Sequence, residues 1–254
     1  MTKLSRSKID LFVDCQRCFW LELKKGIKRP PMFPYTINNA IDYLLKQEFD
    51  AYREKGESHP IMFENGIDAI PYQNEKLNEW RHNFTGVRHE HEETDFTVFG
   101  AVDDVWVNPA GELIVVDYKA TGANQHTVQD SYRRQMEIYQ WLLRRNGFKV
   151  SDVGYFVFAR ASKANGFPVS AVVSSVFRDK AASEDKHEGA PLKGVLPFDI
   201  FVESHKGDDS WIEETLLDAR ATMDLDESPV ASENCSYCKY SKSVESCTPS
   251  VSDF

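Results

Sequence analysis

With 254 residues, 41% of them hydrophobic, the chain is long enough to bury an ordinary core as one large domain or two small ones. No run of about 18 apolar residues occurs and the opening Met-Thr-Lys-Leu-Ser-Arg lacks a signal-peptide apolar core, so the expectation is a cytoplasmic protein with no membrane partner. A formal net charge of −10 argues against broad coating by nucleic acid.

Taken in chain order, Ser5 or Ser7 caps a first helix carrying Ile9, Phe12 and Val13 at helical spacing and ending near Cys15 and Cys18, before Gly26 and Pro30-Pro31 break the chain. Residues 1–30 hold eight Lys/Arg against Asp10, Asp14 and Glu22, which makes the segment a candidate phosphate contact or a solvated helix face. Residues 36–54 read as a helix with an apolar stripe of Ile37, Ala40, Ile41, Leu44, Leu45 and Phe49. Residues 56–93 are less regular, with a helix expected around Glu75–Asn83. His89 and His91, alternating within Arg-His-Glu-His-Glu-Glu, fit a solvated strand edge better than a metal pair.

Residues 95–107 and 112–119 are β-rich and flank Asn108-Pro109-Ala110-Gly111, where Pro presets a type I turn and Gly takes φ > 0. With Gly111 in the left-handed position of a bulged turn, Asn108 pairs with Glu112, and counting outward sets Asp103 opposite Asp117. Directly opposed residues share a face of the sheet, with Cβ atoms ~5 Å apart, and Lys119 lies on that face one pleat further. Opposed like charges need compensation, which a Mg²⁺ or Mn²⁺ ion on carboxylate oxygens supplies beside an ammonium able to orient water. The plainer alternative is a solvated hairpin face on which Lys119 forms surface ion pairs.

A polar loop, Ala120–Gln125, precedes a helix from Val128 to Arg145 in which Gln135 and Tyr139 lie one turn apart on one face. Residues 131–149 set five Lys/Arg, Arg133 and Arg134 among them, against Glu137, a second candidate phosphate contact. Val153–Ala159 is almost continuously apolar, as a central strand should be. A mobile loop is expected around Asp179–Gly194, an edge strand over Val195–Val202, and an acidic helix over Trp211–Met223 that should not meet DNA. Five cysteines, Cys15, Cys18, Cys235, Cys238 and Cys247, all lie near the two ends. In a reducing compartment, Cys-x-x-Cys at both ends reads as a metal site rather than disulfides, and Cys15, Cys18, Cys235 and Cys238 would make paired hooks as in a tetrahedral Zn²⁺ site.

Gly100-x-x-Asp103, Val115-Val116-Asp117-Tyr118-Lys119 and Gln135-x-x-x-Tyr139, in that order, resemble the successive motifs of the PD-(D/E)XK nuclease superfamily. The branch most similar is the RecB-like exonucleases, with the CRISPR-associated members and the AddB nuclease domain. The resemblance implies one nuclease domain over residues 1–254: an α/β restriction-endonuclease-like core (36–225), a central mixed sheet flanked by helices, with residues 1–30 and 230–250 joined by a metal centre. It implies a Mg²⁺- or Mn²⁺-dependent deoxyribonuclease, an exonuclease or end-processing enzyme of repair, recombination or defence. DNA is its expected partner, with a possible helicase or other nucleic-acid-processing protein. Asp103, Asp117, Lys119, Gln135 and Tyr139 would be the catalytic set, the Tyr118 carbonyl an added ligand, and Arg133 and Arg134 substrate contacts. Relatives place a His in the helix of residues 36–54; the matching position here is Asp42, a ligand that Mg²⁺ or Mn²⁺ accepts or a surface carboxylate. The resemblance also implies a [4Fe–4S] cluster on one early and three late cysteines, Cys15, Cys235, Cys238 and Cys247, against the zinc alternative above. The alternative to an enzyme is a catalytically silent DNA-binding or scaffold subunit that kept the fold, which the substitution at Asp42 favours and the intact Asp103, Asp117 and Lys119 oppose.

Overall fold

The computed structural model describes residues 1–31, 36–123, 127–163, 169–170 and 193–247. Two sheets organise it, and a separate antiparallel pair joins β8 (Val169–Ser170) to β9 (Lys193–Gly194). A small sheet has the order β1-β4-β3, with β1 (Thr2–Ser5) parallel to β4 (Phe96–Gly100) and β3 (Val87–His91) antiparallel to it. A larger mixed sheet has the order β10-β7-β6-β5-β2. Its members are β2 (Ile70–Pro71), β5 (Asp104–Val107), β6 (Leu113–Thr121), β7 (Val153–Ala161) and β10 (Phe198–Lys206). Only the β6–β7 pair is parallel within it. The crossover between those two strands carries helix α6 (Asp130–Arg145), as parallel neighbours require.

Side-chain alternation on β5 and β6 separates two cores. Val105, Leu113 and Val115 join the core that also holds Met136, Ile138 and Leu142 of α6, with Ile9 and Phe12 of α1 (Arg6–Asp14). Trp106, Ile114, Val116 and Tyr118 join the opposite core with Phe49 of α3 (Thr36–Lys55) and Met62 of α4 (Pro60–Glu64). The sheet is thus covered on both faces, which explains the near-continuous apolar run in β6 and β7. Residues 117 and 119 share parity with 113 and 115, so they face α6.

The hairpin turn behaves as its sequence predicts. Gly111 has φ +74°, its N–H donates to the Asn108 carbonyl at 2.9 Å, and Asn108 N donates to the Glu112 carbonyl at 3.1 Å. The ladder Val107↔Leu113 to Asp104↔Val116 follows and brings Asp103 opposite Asp117. The run 95–107, expected as one strand, is instead two: β4 belongs to the small sheet, and a bend at Ala101–Asp103 leads into β5. Val102, buried and donating its N–H to the Trp80 carbonyl at 3.1 Å, anchors that bend.

Further differences are local. The first helix divides at Cys15, whose extended backbone (φ −161°) ends α1 and caps α2 (Gln16–Lys25). The helix expected over 75–83 shortens to α5 (Leu77–Trp80). Pro197 precedes the edge strand β10, and α7 (Trp211–Asp224) buries Ile212, Leu216 and Ala219 against α1 and α2. His91 is not solvated: its Nε2 lies 2.9 Å from a Glu213 carboxylate oxygen and its Nδ1 2.8 Å from Thr94 Oγ1, because α7 folds over the edge strand β3. His89 packs edge-on against the Trp141 ring at 5.3 Å. Most of the loop expected at 179–194 lies outside the described residues, as does part of the one at 120–125. No described helix is long and apolar enough to cross a membrane.

Candidate active site and metal centre

At the end of β6 toward α6, the Asp103–Asp117 pair is assembled from both strands of the hairpin. Asp103 Oδ2 accepts from the Tyr118 N–H at 3.0 Å, and Asp117 Oδ1 accepts from Gln135 Nε2 at 2.7 Å. The same Gln135 amide donates to Tyr139 Oη at 3.2 Å, and its Oε1 accepts from Lys119 Nζ at 3.4 Å. Lys119 forms an ion pair with Asp117 Oδ2 and stands 4.6 Å over the Tyr132 ring. Hairpin register set Asp103, Asp117 and Lys119 on one face and the family resemblance added Gln135 and Tyr139; the structure brings all five together. Gly100 is part of the same construction: a Cβ there would meet Tyr139 Cε1 at 2.5 Å and Arg6 Cβ at 3.3 Å, so only glycine lets the Tyr139 ring approach.

The electrostatics are those of an acid pair short of compensation. Burial, and after it the neighbouring Asp103, push Asp117 up to about 7 against the opposing pull of Lys119. Burial acts on Asp103 too, but Lys46, Lys119 and the Tyr118 N–H outweigh it and hold that carboxyl below its ordinary range. Burial, and then the two carboxylates, push Tyr139 up to about 12 despite Arg6, so it stays a neutral hydroxyl. Asp117 Oδ2 is buried and, among the described residues, meets the Lys119 ammonium in an ion pair with no other directed hydrogen bond. A hard oxygen donor set with one oxygen held by an ammonium that can turn away fits a Mg²⁺-like ion.

The sign of the Asp117 shift gives a stability prediction. A carboxyl raised on folding contributes stability that is complete below its unfolded value, near 3.8, and is lost as pH rises through about 7. In buffer free of divalent ions, Asp117→Asn is therefore expected to stabilise the fold at pH 8 by on the order of 2 kcal/mol, the gain shrinking as pH falls toward about 4. Thermal unfolding across that range reads it, and a gain that does not vary with pH would contradict the assignment.

Lys46, which sequence reading missed, links the pair to Asp42. Its Nζ lies 2.8 Å from Asp42 Oδ2 and 3.2 Å from Asp103 Oδ1, so α3 delivers both Asp42 and a cation to the site. The i, i+4 spacing of Asp42 and Lys46 was the available signal. Burial and then Asp103 raise the Asp42 carboxyl against Lys46. Asp42 does not close with Asp103 and Asp117 into a group whose ligand atoms lie within 4.8 Å of one another; the cysteines form the only such group among the described residues.

Asp104, next to Asp103, points to the other face. It accepts from Tyr118 Oη at 2.7 Å and Arg81 Nη2 at 3.0 Å and pairs with Arg53, a fully buried anion between two guanidinium groups. Arg81 also donates to the Asp103 carbonyl at 2.9 Å, so this network holds the bend that carries Asp103. Arg133 pairs with Asp130 at 3.0 Å and Arg134 with Asp10 at 2.6 Å. Partly exposed pairs of this kind are worth little and exchange readily for a phosphate.

The second constellation joins the chain ends. Cys15, Cys18, Cys235 and Cys238 place their sulfurs within 4.8 Å of one another, with separations of 3.9 Å (Cys15–Cys238) and 3.6 Å (Cys18–Cys235 and Cys18–Cys238). Each Cys-x-x-Cys wraps a helix N-terminus, that of α2 and that of α8 (Ser236–Cys247), where the positive end of the helix dipole favours thiolates. Burial works against ionisation of Cys15, yet the Cys18 and Ser232 amides bring it down to about 6. Arg29 donates to Cys235 Sγ at 3.3 Å and stacks 4.7 Å from the Tyr237 ring. Cys247 is exposed at the far end of α8 and is not in the group.

A mixed sheet flanked by helices, with two acids and a lysine on one strand pair and a glutamine and tyrosine on the crossover helix, defines a nuclease-type α/β core. The model of the PD-(D/E)XK nuclease superfamily matches residues 39–243, most of the chain, and the chain belongs to that superfamily. Members are generally metal-dependent nucleases, so a nucleic acid is the implied substrate. The matched span includes Asp42 and the whole acid–lysine site but neither Cys15 nor Cys18. No curated protein matches the chain.

Proposed function

We propose that this protein is a Mg²⁺- or Mn²⁺-dependent deoxyribonuclease of the RecB-like branch, acting as an exonuclease or end-processing enzyme in DNA repair, recombination or defence. The observation that carries the proposal is the Asp103–Asp117–Lys119 cluster bound to Gln135 and Tyr139. Asp103 and Asp117 would hold the ion, with Asp42 and the Tyr118 carbonyl as further ligands. When bound, the ion supplies neutralisation of phosphate charge and a more acidic water. Lys119 would turn its ammonium from the Asp117 carboxylate to a phosphate oxygen or to the attacking water, a short move for a side chain held by an ion pair, Gln135 and the Tyr132 face. Gln135 fixes Asp117 and Lys119 relative to each other, and neutral Tyr139 fixes Gln135. Arg133 and Arg134 extend the site along the DNA backbone. The chain works as one cytoplasmic nuclease domain, alone or beside a helicase.

Purified protein with Mn²⁺ on end-labelled linear single-stranded and duplex DNA tests this. Cleavage by wild type that is lost in Asp117→Ala and in Lys119→Ala supports the enzyme, and the pattern of shortened products reports exonuclease polarity. Equal residual cleavage in all three would mean contamination and leave the silent scaffold.

A further inference from the structure

We infer that the four-cysteine cage holds a single tetrahedrally coordinated Zn²⁺ ion, and not the [4Fe–4S] cluster that the RecB-like resemblance implies. Bond-length arithmetic separates the two. Four thiolates at Zn–S distances of ~2.3 Å around one ion stand ~3.8 Å apart along the tetrahedron edge. In a cubane each thiolate projects outward from its own iron, so with Fe–S bonds of similar length the four sulfurs stand roughly 6 Å apart. The separations here, 3.6, 3.6 and 3.9 Å with every sulfur within 4.8 Å of the others, match the single ion and leave no room for a cube of iron and sulfide.

The ligand set agrees independently. A cluster on one early and three late cysteines needs Cys247, yet α8 runs unbroken from Ser236 to Cys247. Nine residues of helix carry Cys247 roughly 13 Å along the axis from Cys238. Cys18, which that arrangement leaves over, is instead buried between Cys235 and Cys238. The two hooks are equivalent in sequence and in setting, each with its first cysteine at a helix cap and its second in the first turn. Thiolate softness selects Zn²⁺ over Mg²⁺ or Mn²⁺, and a Zn(Cys)₄ centre carries net negative charge that the Arg29 guanidinium, 3.3 Å from Cys235 Sγ, offsets. The cage shares no residue with the acid–lysine site, so this inference and the nuclease reading stand or fall separately.

The test is metal and sulfide content of the full chain, purified without oxygen from cells supplied with both iron and zinc. Expected are one zinc per chain, no acid-labile sulfide, no brown absorption, and tetrahedral cobalt bands after exchange with Co²⁺. Cys247→Ser should retain its zinc in full, and Cys18→Ser should lose it. Four irons and four sulfides per chain, or a metal centre lost in Cys247→Ser, would overturn the inference. Wild type and Cys247→Ser decide it even if Cys18→Ser does not fold.

Discussion

Asp117→Ala is expected to lower Mn²⁺-supported DNA cleavage by on the order of 10³–10⁴-fold in kcat, with the fold retained. The residue is completely buried, so its carboxylate is held there at a cost that packing alone does not explain. Its oxygens face the Lys119 ammonium, which can turn to solvent or substrate, and the Gln135 amide, which keeps Tyr139 Oη as a second partner. Under the proposed mechanism, truncation would remove a metal ligand and release Lys119 from its position at once. Lys119→Ala should cost less, about 10²–10³-fold, because the ion site survives. Single-turnover rates at saturating Mn²⁺ separate these losses from weaker metal binding. A kcat for Asp117→Ala within tenfold of wild type would contradict the placement of the site.

Asp104→Ala is expected to do the opposite, destabilising the protein by about 3 kcal/mol, because it removes the fully buried anion that Arg53, Arg81 and Tyr118 Oη share and leaves the two arginines only the more exposed Asp50 as an anion among the described residues. Arg53 and Arg81 converge on Asp104, and Tyr118 Oη donates to it from β6. Asp103→Ala, one residue away, exposes nothing comparable: it leaves Lys46 its second partner, Asp42. Denaturant unfolding of the two variants should show a large loss for Asp104→Ala and a small change for Asp103→Ala, while cleavage is abolished in the latter. Similar losses of stability in both would mean the doublet does not split across the sheet.

That split shows how far the sequence could be read. The turn at Asn108–Gly111 fixed the hairpin register by local chemistry, and the register alone set Asp103 opposite Asp117 and Lys119 beside it. Strand parity then assigns Asp103 to the α6 face and Asp104 to the α3 face. The partners of Asp104 remained hidden because Arg53 and Arg81 lie 51 and 23 residues away and become neighbours only through packing of α3 and α5. Lys46 carried a local signal, its i, i+4 spacing from Asp42, but such a pair looks the same whether it faces solvent or an active site. The break between β4 and β5 was missed because both halves are β-branched and aromatic, and nothing in composition marks the bend at Ala101–Asp103. Parallel pairing of β1 with β4 joins residues over 90 positions apart and has no local signal at all. Cys-x-x-Cys spacing, by contrast, made the two hooks legible from the start, because each needs only one helical turn to aim both sulfurs the same way.

Mn²⁺ binding measured by electron paramagnetic resonance on wild type, Asp103→Ala, Asp117→Ala and Asp104→Asn tests most directly whether the opposed carboxylates form a hard-cation site. Binding by wild type and Asp104→Asn that falls by at least about tenfold in both Asp103→Ala and Asp117→Ala is the predicted result. Equal Mn²⁺ affinity in all four proteins would contradict it.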